Sequence, residues 1–133
     1  MHLHERLIDL SERQHGAVAI FQVNDLGATR NQLAHLTESC QWERVTINVL
    51  RRAGSSRTRG QLVMMGVLDA GRNAALSHRP VAAWWRLRGF TLGDLEVMRL
   101  RDTNSTPARL VTAIHEPRFF PRHHRTVLNG VPV

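Results

Sequence analysis

Lysine is absent from this chain, and all 18 basic residues are arginine. The guanidinium fork suits phosphate recognition, while a genome rich in arginine codons gives the same bias without any such role. Cysteine is nearly absent. Cys40 stands alone, so no disulfide forms within the chain and a reducing cytoplasm is the expected compartment. No run of eighteen or so apolar residues occurs, which leaves no candidate transmembrane helix and no expected membrane partner. The N-terminus, Met1-His-Leu-His-Glu-Arg6, lacks the basic region and apolar stretch of a secretory signal. There is no phosphate-binding glycine loop, no serine nucleophile elbow, no internal repeat and no low-complexity tract. A non-enzymatic protein without cofactor is the expectation.

What is present is an ordinary globular composition, 42% apolar over 133 residues, enough for one domain or two small units. The formal charge of +7 points to a polyanionic partner. It is unevenly spread: residues 1–50 hold four arginines against six acids, and residues 51–133 hold fourteen against five.

Leu3, Leu7 and Leu10 recur at helical spacing, predicting an amphipathic helix over about 3–14 that stops at Gly16. A short helix over about Phe21–Leu26 ends at Gly27. Thr29-Arg-Asn-Gln32 then has the capping-box pattern and opens a third helix with Leu33, Leu36 and Cys40 on its buried stripe. Two helices joined by a short glycine-containing turn form a helix-turn-helix. Beyond Trp42, Val45, Ile47 and Val49 alternate with Arg44, Thr46 and Asn48 in the period of a strand, unless Asn48 marks a tight turn. A basic, glycine- and serine-bearing stretch, Arg51–Arg59, follows as a wing. The predicted fold is α+β, with a winged helix-turn-helix over 1–54 and a small α+β unit over 59–133, two helices followed by short antiparallel strands. In that second unit Gln61–Ala70 is apolar nearly all round and should be a buried helix ended by Gly71. Ser77 is placed to cap another helix, with Pro80 in its first turn and an end near Gly89. Strands are expected at Leu95–Leu100, Ala108–Ile114 and Thr126–Leu128, the last feeding a two-residue Asn129-Gly130 turn.

The third helix is the expected reader of double-stranded DNA. Thr29, Arg30, Asn31, Gln32 and His35 lie toward its N-terminal, solvent side, where such helices reach base edges, asparagine and glutamine pairing with adenine and arginine with guanine. Arg44 and the cluster Arg51, Arg52, Arg57 and Arg59 are expected to neutralise phosphates. Other polar residues read as structural. His2 and His4 lie at the terminus, adjacent His123 and His124 point apart in an extended segment, and His78 has no companion ligand, so no metal site is expected. Cys40 reads as a small buried hydrophobe. Asp94 and Glu96 with Arg99 lack the spacing of a nuclease carboxylate site, and Trp84 and Trp85 read as core.

Three stretches in order, Gln14-His-Gly-Ala-Val18, the Gly27–Leu36 turn and helix, and Gln41-Trp-Glu-Arg-Val45, carry a resemblance. Two more, Ala75-Leu-Ser-His-Arg-Pro-Val-Ala-Ala83-Trp and Asn129-Gly-Val-Pro-Val133, extend it along nearly the whole chain. Together they resemble the N-terminal region of AbiEi-type antitoxins and related transcriptional regulators. The resemblance implies a winged helix, promoter binding and autoregulation of a toxin–antitoxin operon. The sequence departs from that family at Glu43 and Ile47, where basic residues are usual. In many relatives the matching region precedes a domain similar to very-short-patch-repair endonucleases. This chain is expected to lack that domain, and no nuclease activity is implied for it. A regulator of this kind would bind repeats as a homodimer. The alternative is a protein-interaction module, its basic second half docking an acidic partner such as a cognate toxin.

Overall fold

The computed structural model describes residues 2–77, 84, 95–99, 108–111, 113–117 and 125–133. Among them the order is α1 (Leu3–Arg13), β1 (Ala17–Ala19), α2 (Ile20–Asp25), α3 (Arg30–Glu38), β2 (Trp42–Arg44), β3 (Val49–Arg52) and α4 (Arg59–Ala70). The short strands β4 (Ala75–Leu76), β5 (Glu96–Met98), β6 (Ala113–His115), β7 (Val127–Leu128) and β8 (Val131–Pro132) complete it. The class is α+β, as the mixed periodicities predict. No helix among the described residues is long and apolar enough to cross a membrane.

Helix α1 ends because His15 and Gly16 both take left-handed conformations, φ 59° and 88°, and the Gly16 amide donates back to the Ser11 carbonyl at 2.7 Å. That reversal starts β1, a strand absent from the sequence reading. Three residues, two of them alanines of low strand propensity, are too few to give a periodic signal, and β1 exists because its partner strand holds it. The first sheet has the order β1-β3-β2, antiparallel throughout. Its register pairs Ala17 with Arg51 and Ala19 with Val49 on one side, and Glu43 with Arg51 and Arg44 with Leu50 on the other.

This sheet is covered on both faces. Val18, Leu50 and Trp42 join Leu7, Val23 and Leu36 in a core beneath α1, α2 and α3. Ala17, Ala19 and Val49 face the opposite way, into a larger core built on α4 with Val63, Met64, Val67 and Leu68. Alanine at 17 and 19 leaves room for α4 against the strand. The same core takes in Leu76, Val97 and Val131, so the stretches 1–54 and 59–133, separable by composition, share apolar packing across β1, β3 and α4.

Helix α4 begins at a Thr58 cap, whose hydroxyl accepts from the Gln61 amide at 3.0 Å. It is buried along its length except at Arg59 and Leu62. Gly60 is required by close approach: a Cβ there would lie 2.5 Å from His15 Nδ1. The His15 ring also meets Trp84 edge-on at 6.2 Å and makes a 2.6 Å hydrogen bond to the Asn129 carbonyl. Trp84 is helical, packs on the α4 core and donates its indole N–H to the Leu128 carbonyl at 2.8 Å. Ser77, the expected cap of a further helix, is buried, and its amide donates to the Glu96 carbonyl at 2.9 Å, continuing the β4–β5 pairing. Apart from Ser77 and Trp84 the expected helix to Gly89 lies outside the described residues, as do His78, Trp85, Asp94, His123 and His124.

A second sheet has the order β4-β5-β6. Its β5–β6 pair is parallel, where an antiparallel arrangement was expected. Among the described residues of the predicted Ala108–Ile114 strand, only Ala113 and Ile114 pair, and the Arg109 and Leu110 amides are drawn instead to Asp69. The Asn129-Gly130 turn forms as predicted, with φ 51° and 81°, joining β7 to β8.

Candidate nucleic-acid interface

The α3 N-terminus is fixed by the reciprocal cap that the sequence predicts. The Gln32 amide donates to Thr29 Oγ1 at 3.1 Å, and the Thr29 amide donates to Gln32 Oε1 at 2.8 Å. Thr29 and Gln32 therefore hold the helix end, which leaves Arg30, Asn31 and His35 as its outward polar residues. All three are exposed, together with Ala34 and Glu38, and the side chains of Arg30, Asn31 and His35 make no hydrogen bond or ion pair among the described residues. Leu36 anchors the opposite side of the helix.

Cys40 departs from its expected place. The helix stops at Glu38, Cys40 takes a left-handed φ of 63°, and its thiol is exposed. The chain reverses there to deliver Trp42, 2% exposed, into the core instead.

Of the two readings, the turn at Asn48 holds and the continuous strand through Val45, Ile47 and Val49 does not: β2 ends at Arg44, β3 starts at Val49, and residues 45–48 turn between them. The turn is pinned from below. Thr46 Oγ1 donates to Asp69 Oδ1 at 2.7 Å, and Asn48 Nδ2 reaches the same oxygen and the Asp69 carbonyl, each at 3.2 Å. Asp69 Oδ2 accepts the amides of Arg109 at 2.6 Å and Leu110 at 2.9 Å. A carboxylate 1% exposed thus ties the hairpin turn, α4 and the second sheet together. No motif marks it, since a lone aspartate at the end of an apolar run carries no spacing signal.

The expected arginine cluster divides. Arg57 and Arg59 are exposed, Arg52 is partly buried with 41% of its side chain accessible, and Arg44 is exposed on β2. Arg52 lies 3.7 Å from Glu12 and Arg57 lies 3.9 Å from Glu43, both loose surface pairs. Arg51 is a correction: it is 5% exposed and cannot face a phosphate. As part of the central strand it points toward α4. Its Nη1 donates to Glu43 Oε2 at 2.8 Å, its Nε to Gln61 Oε1 at 2.9 Å, and its Nη2 to the Ser55 carbonyl. Gln61, 2% exposed, completes the network through its Nε2 to the His15 carbonyl and Ser55 Oγ, both at 2.9 Å. The signal was available. Placing the turn at 45–48 pairs Glu43 with Arg51 directly, an opposite-charge cross-strand pair.

One further pair braces α2. Arg72, just past α4, bonds both Asp25 oxygens, at 2.6 and 3.0 Å, and its guanidinium carbon sits 4.7 Å above the Phe21 ring. The hydrogen bond from Arg72 holds the Asp25 carboxyl below its ordinary value of 3.8, and partial desolvation opposes this. A depressed carboxylate stabilises the fold above its unfolded pKa, and that contribution is lost as pH falls through the folded value. The stability difference between wild type and Asp25→Asn is therefore expected to be constant from neutral pH to about pH 5 and to shrink progressively as pH falls below the ordinary carboxyl value of 3.8. Denaturant unfolding across that range checks it. High salt should shrink the difference because the pair is exposed.

No protein-family model matches the chain, and comparison with curated proteins finds no match.

Proposed function

We propose that the chain is a non-enzymatic, cytoplasmic DNA-binding regulator of the AbiEi antitoxin type, its first 54 residues forming a winged helix-turn-helix. One observation carries the reading. The succession helix, strand, helix, helix, strand, strand, with the sheet ordered β1-β3-β2, supports it by setting a two-stranded hairpin directly after α3, as a winged helix-turn-helix requires. Arg30, Asn31 and His35 on α3 are the base-reading side chains. Arg44, Arg52, Arg57 and Arg59 hold phosphates, and Arg51 braces the loop that presents them. Two copies bind a repeated operator.

The test is a fluorescence-anisotropy titration against the upstream promoter and scrambled DNA at several salt concentrations. The promoter is expected to bind more tightly, and the Arg52→Ala/Arg57→Ala/Arg59→Ala variant to flatten the log–log salt slope by about 2–3, from roughly 0.9 per phosphate contact. Asn31→Ala should reduce discrimination while leaving that slope unchanged. An unchanged slope in the triple variant overturns the phosphate assignment.

A second reading rests on the hairpin turn, which exposes Val45 at 36% and Ile47 at 48% and has no cation within residues 45–48. Such a turn suits contact with a protein, and a cognate toxin is the partner that this reading names. Loss of toxin co-purification in Ile47→Asp, with promoter binding absent in the wild type, would favour it.

A further inference from the structure

An open cavity of about 530 Å³ lies between α2, the C-terminal end of α4 and the β7–β8 hairpin. Phe21, Met64, Leu68 and Pro132 supply apolar wall, and the only charged residues lining it, among those described, are Arg72 and Arg125. The Gln14 and Gln22 amides on the same wall hydrogen-bond each other in both directions, at 2.9 and 2.8 Å, so they are already satisfied. A cavity of this size matches a small organic ligand. Its charge is of one sign, and a guanidinium takes a carboxylate through paired, charge-assisted hydrogen bonds.

We infer that this cavity binds a small monocarboxylate with an apolar body, its carboxylate held by Arg72 and Arg125 and its body against Phe21, Met64 and Leu68. Arg72 makes the site more than a receptacle. Its present partner is Asp25, in an exposed pair with half of each side chain accessible, so a ligand carboxylate competes with Asp25 for the same guanidinium. Asp25 is the last residue of α2, directly before the turn into α3. Ligand binding therefore frees the end of α2 and loosens the seat of α3. This regulatory half rests on the DNA-binding reading above; the binding site itself does not.

The probe is 1-naphthylacetate, whose fluorescence reports binding to the full chain, with 1-naphthylmethanol as its uncharged counterpart. Saturable binding of the acid is expected, at least about tenfold tighter than the alcohol. Arg125→Ala and Arg72→Ala should each remove that preference. Asp25→Ala should act in the opposite direction and tighten the acid roughly two- to fivefold, because it removes the competitor for Arg72. A general loss of folding cannot produce that gain. Equal affinity for acid and alcohol, or a loss of affinity in Asp25→Ala, overturns the site.

Saturating acid is then expected to weaken promoter binding about fivefold in the wild type and not in Asp25→Ala. If acid-selective binding persists while the chain binds no promoter, the regulator reading fails and the site stands. If promoter binding is present and unmoved by the acid, the link through Arg72 fails.

Discussion

Asp69→Ala is expected to destabilise the protein by about 3–5 kcal/mol, lowering the melting temperature by roughly 10–15 °C. The carboxylate is 1% exposed and accepts from Thr46, Asn48 and the amides of Arg109 and Leu110. Deleting it strands several buried donors at once, and each unsatisfied group costs about 1–3 kcal/mol before relaxation. The two backbone amides have no rotamer with which to seek another acceptor. Asp69→Asn should fall between wild type and alanine. Its single oxygen can face either the amide pair or the Thr46 and Asn48 side chains, and the NH₂ group then confronts donors on the other side. Circular dichroism melts of the three proteins check the order. A melt of Asp69→Ala within a degree or two of wild type would show that the hairpin turn does not depend on this anchor.

Arg51→Ala is expected to cost about 2–3 kcal/mol, whereas alanine at Arg57 or Arg59 stays within about 0.5 kcal/mol. The difference follows from position. Arg51 fills the space between β3 and α4 and donates to Glu43, Gln61 and Ser55, while Arg57 and Arg59 extend into solvent. Glu43 is half-exposed and recovers water when the arginine is removed, which keeps the cost below that of a fully buried pair. Gln61 Oε1 has no such recourse. Urea unfolding of the single variants separates the two classes, and equal stability losses at positions 51 and 59 would contradict this division. It follows that DNA affinity should be tested with Arg51 intact. Removing all four arginines together would confuse a lost phosphate contact with a loosened loop.

Much of the helical half was legible because its signals are local. The leucine spacing gave α1, the Thr29–Gln32 box gave the start of α3, and the unbroken apolar run gave α4. Asn129-Gly130 gave its hairpin for the same reason: two residues determine the turn. The errors lie where a strand depends on its neighbour. Ala17–Ala19 is a strand because β3 lies beside it, and Val45–Asn48 is a turn because Asp69, more than twenty residues away, holds Thr46 and Asn48. The outward residues of α3 followed from the cap and the buried leucines. The inward turn of Arg51 was missed together with the turn at 45–48, since only that turn sets Arg51 opposite Glu43 on a central strand.

That sheet order bears on how the first 54 residues could have been inherited. Ala17, Ala19 and Val49 show one face of the sheet to α4, while Val18 and Leu50 show the other to the first three helices. A recombination joint near residue 55 would give one offspring an uncovered apolar wall and the other a helix with nothing to lie against. The outward positions of α3 touch neither core, so they can be rewritten freely, whereas the segment as a whole cannot be shuffled.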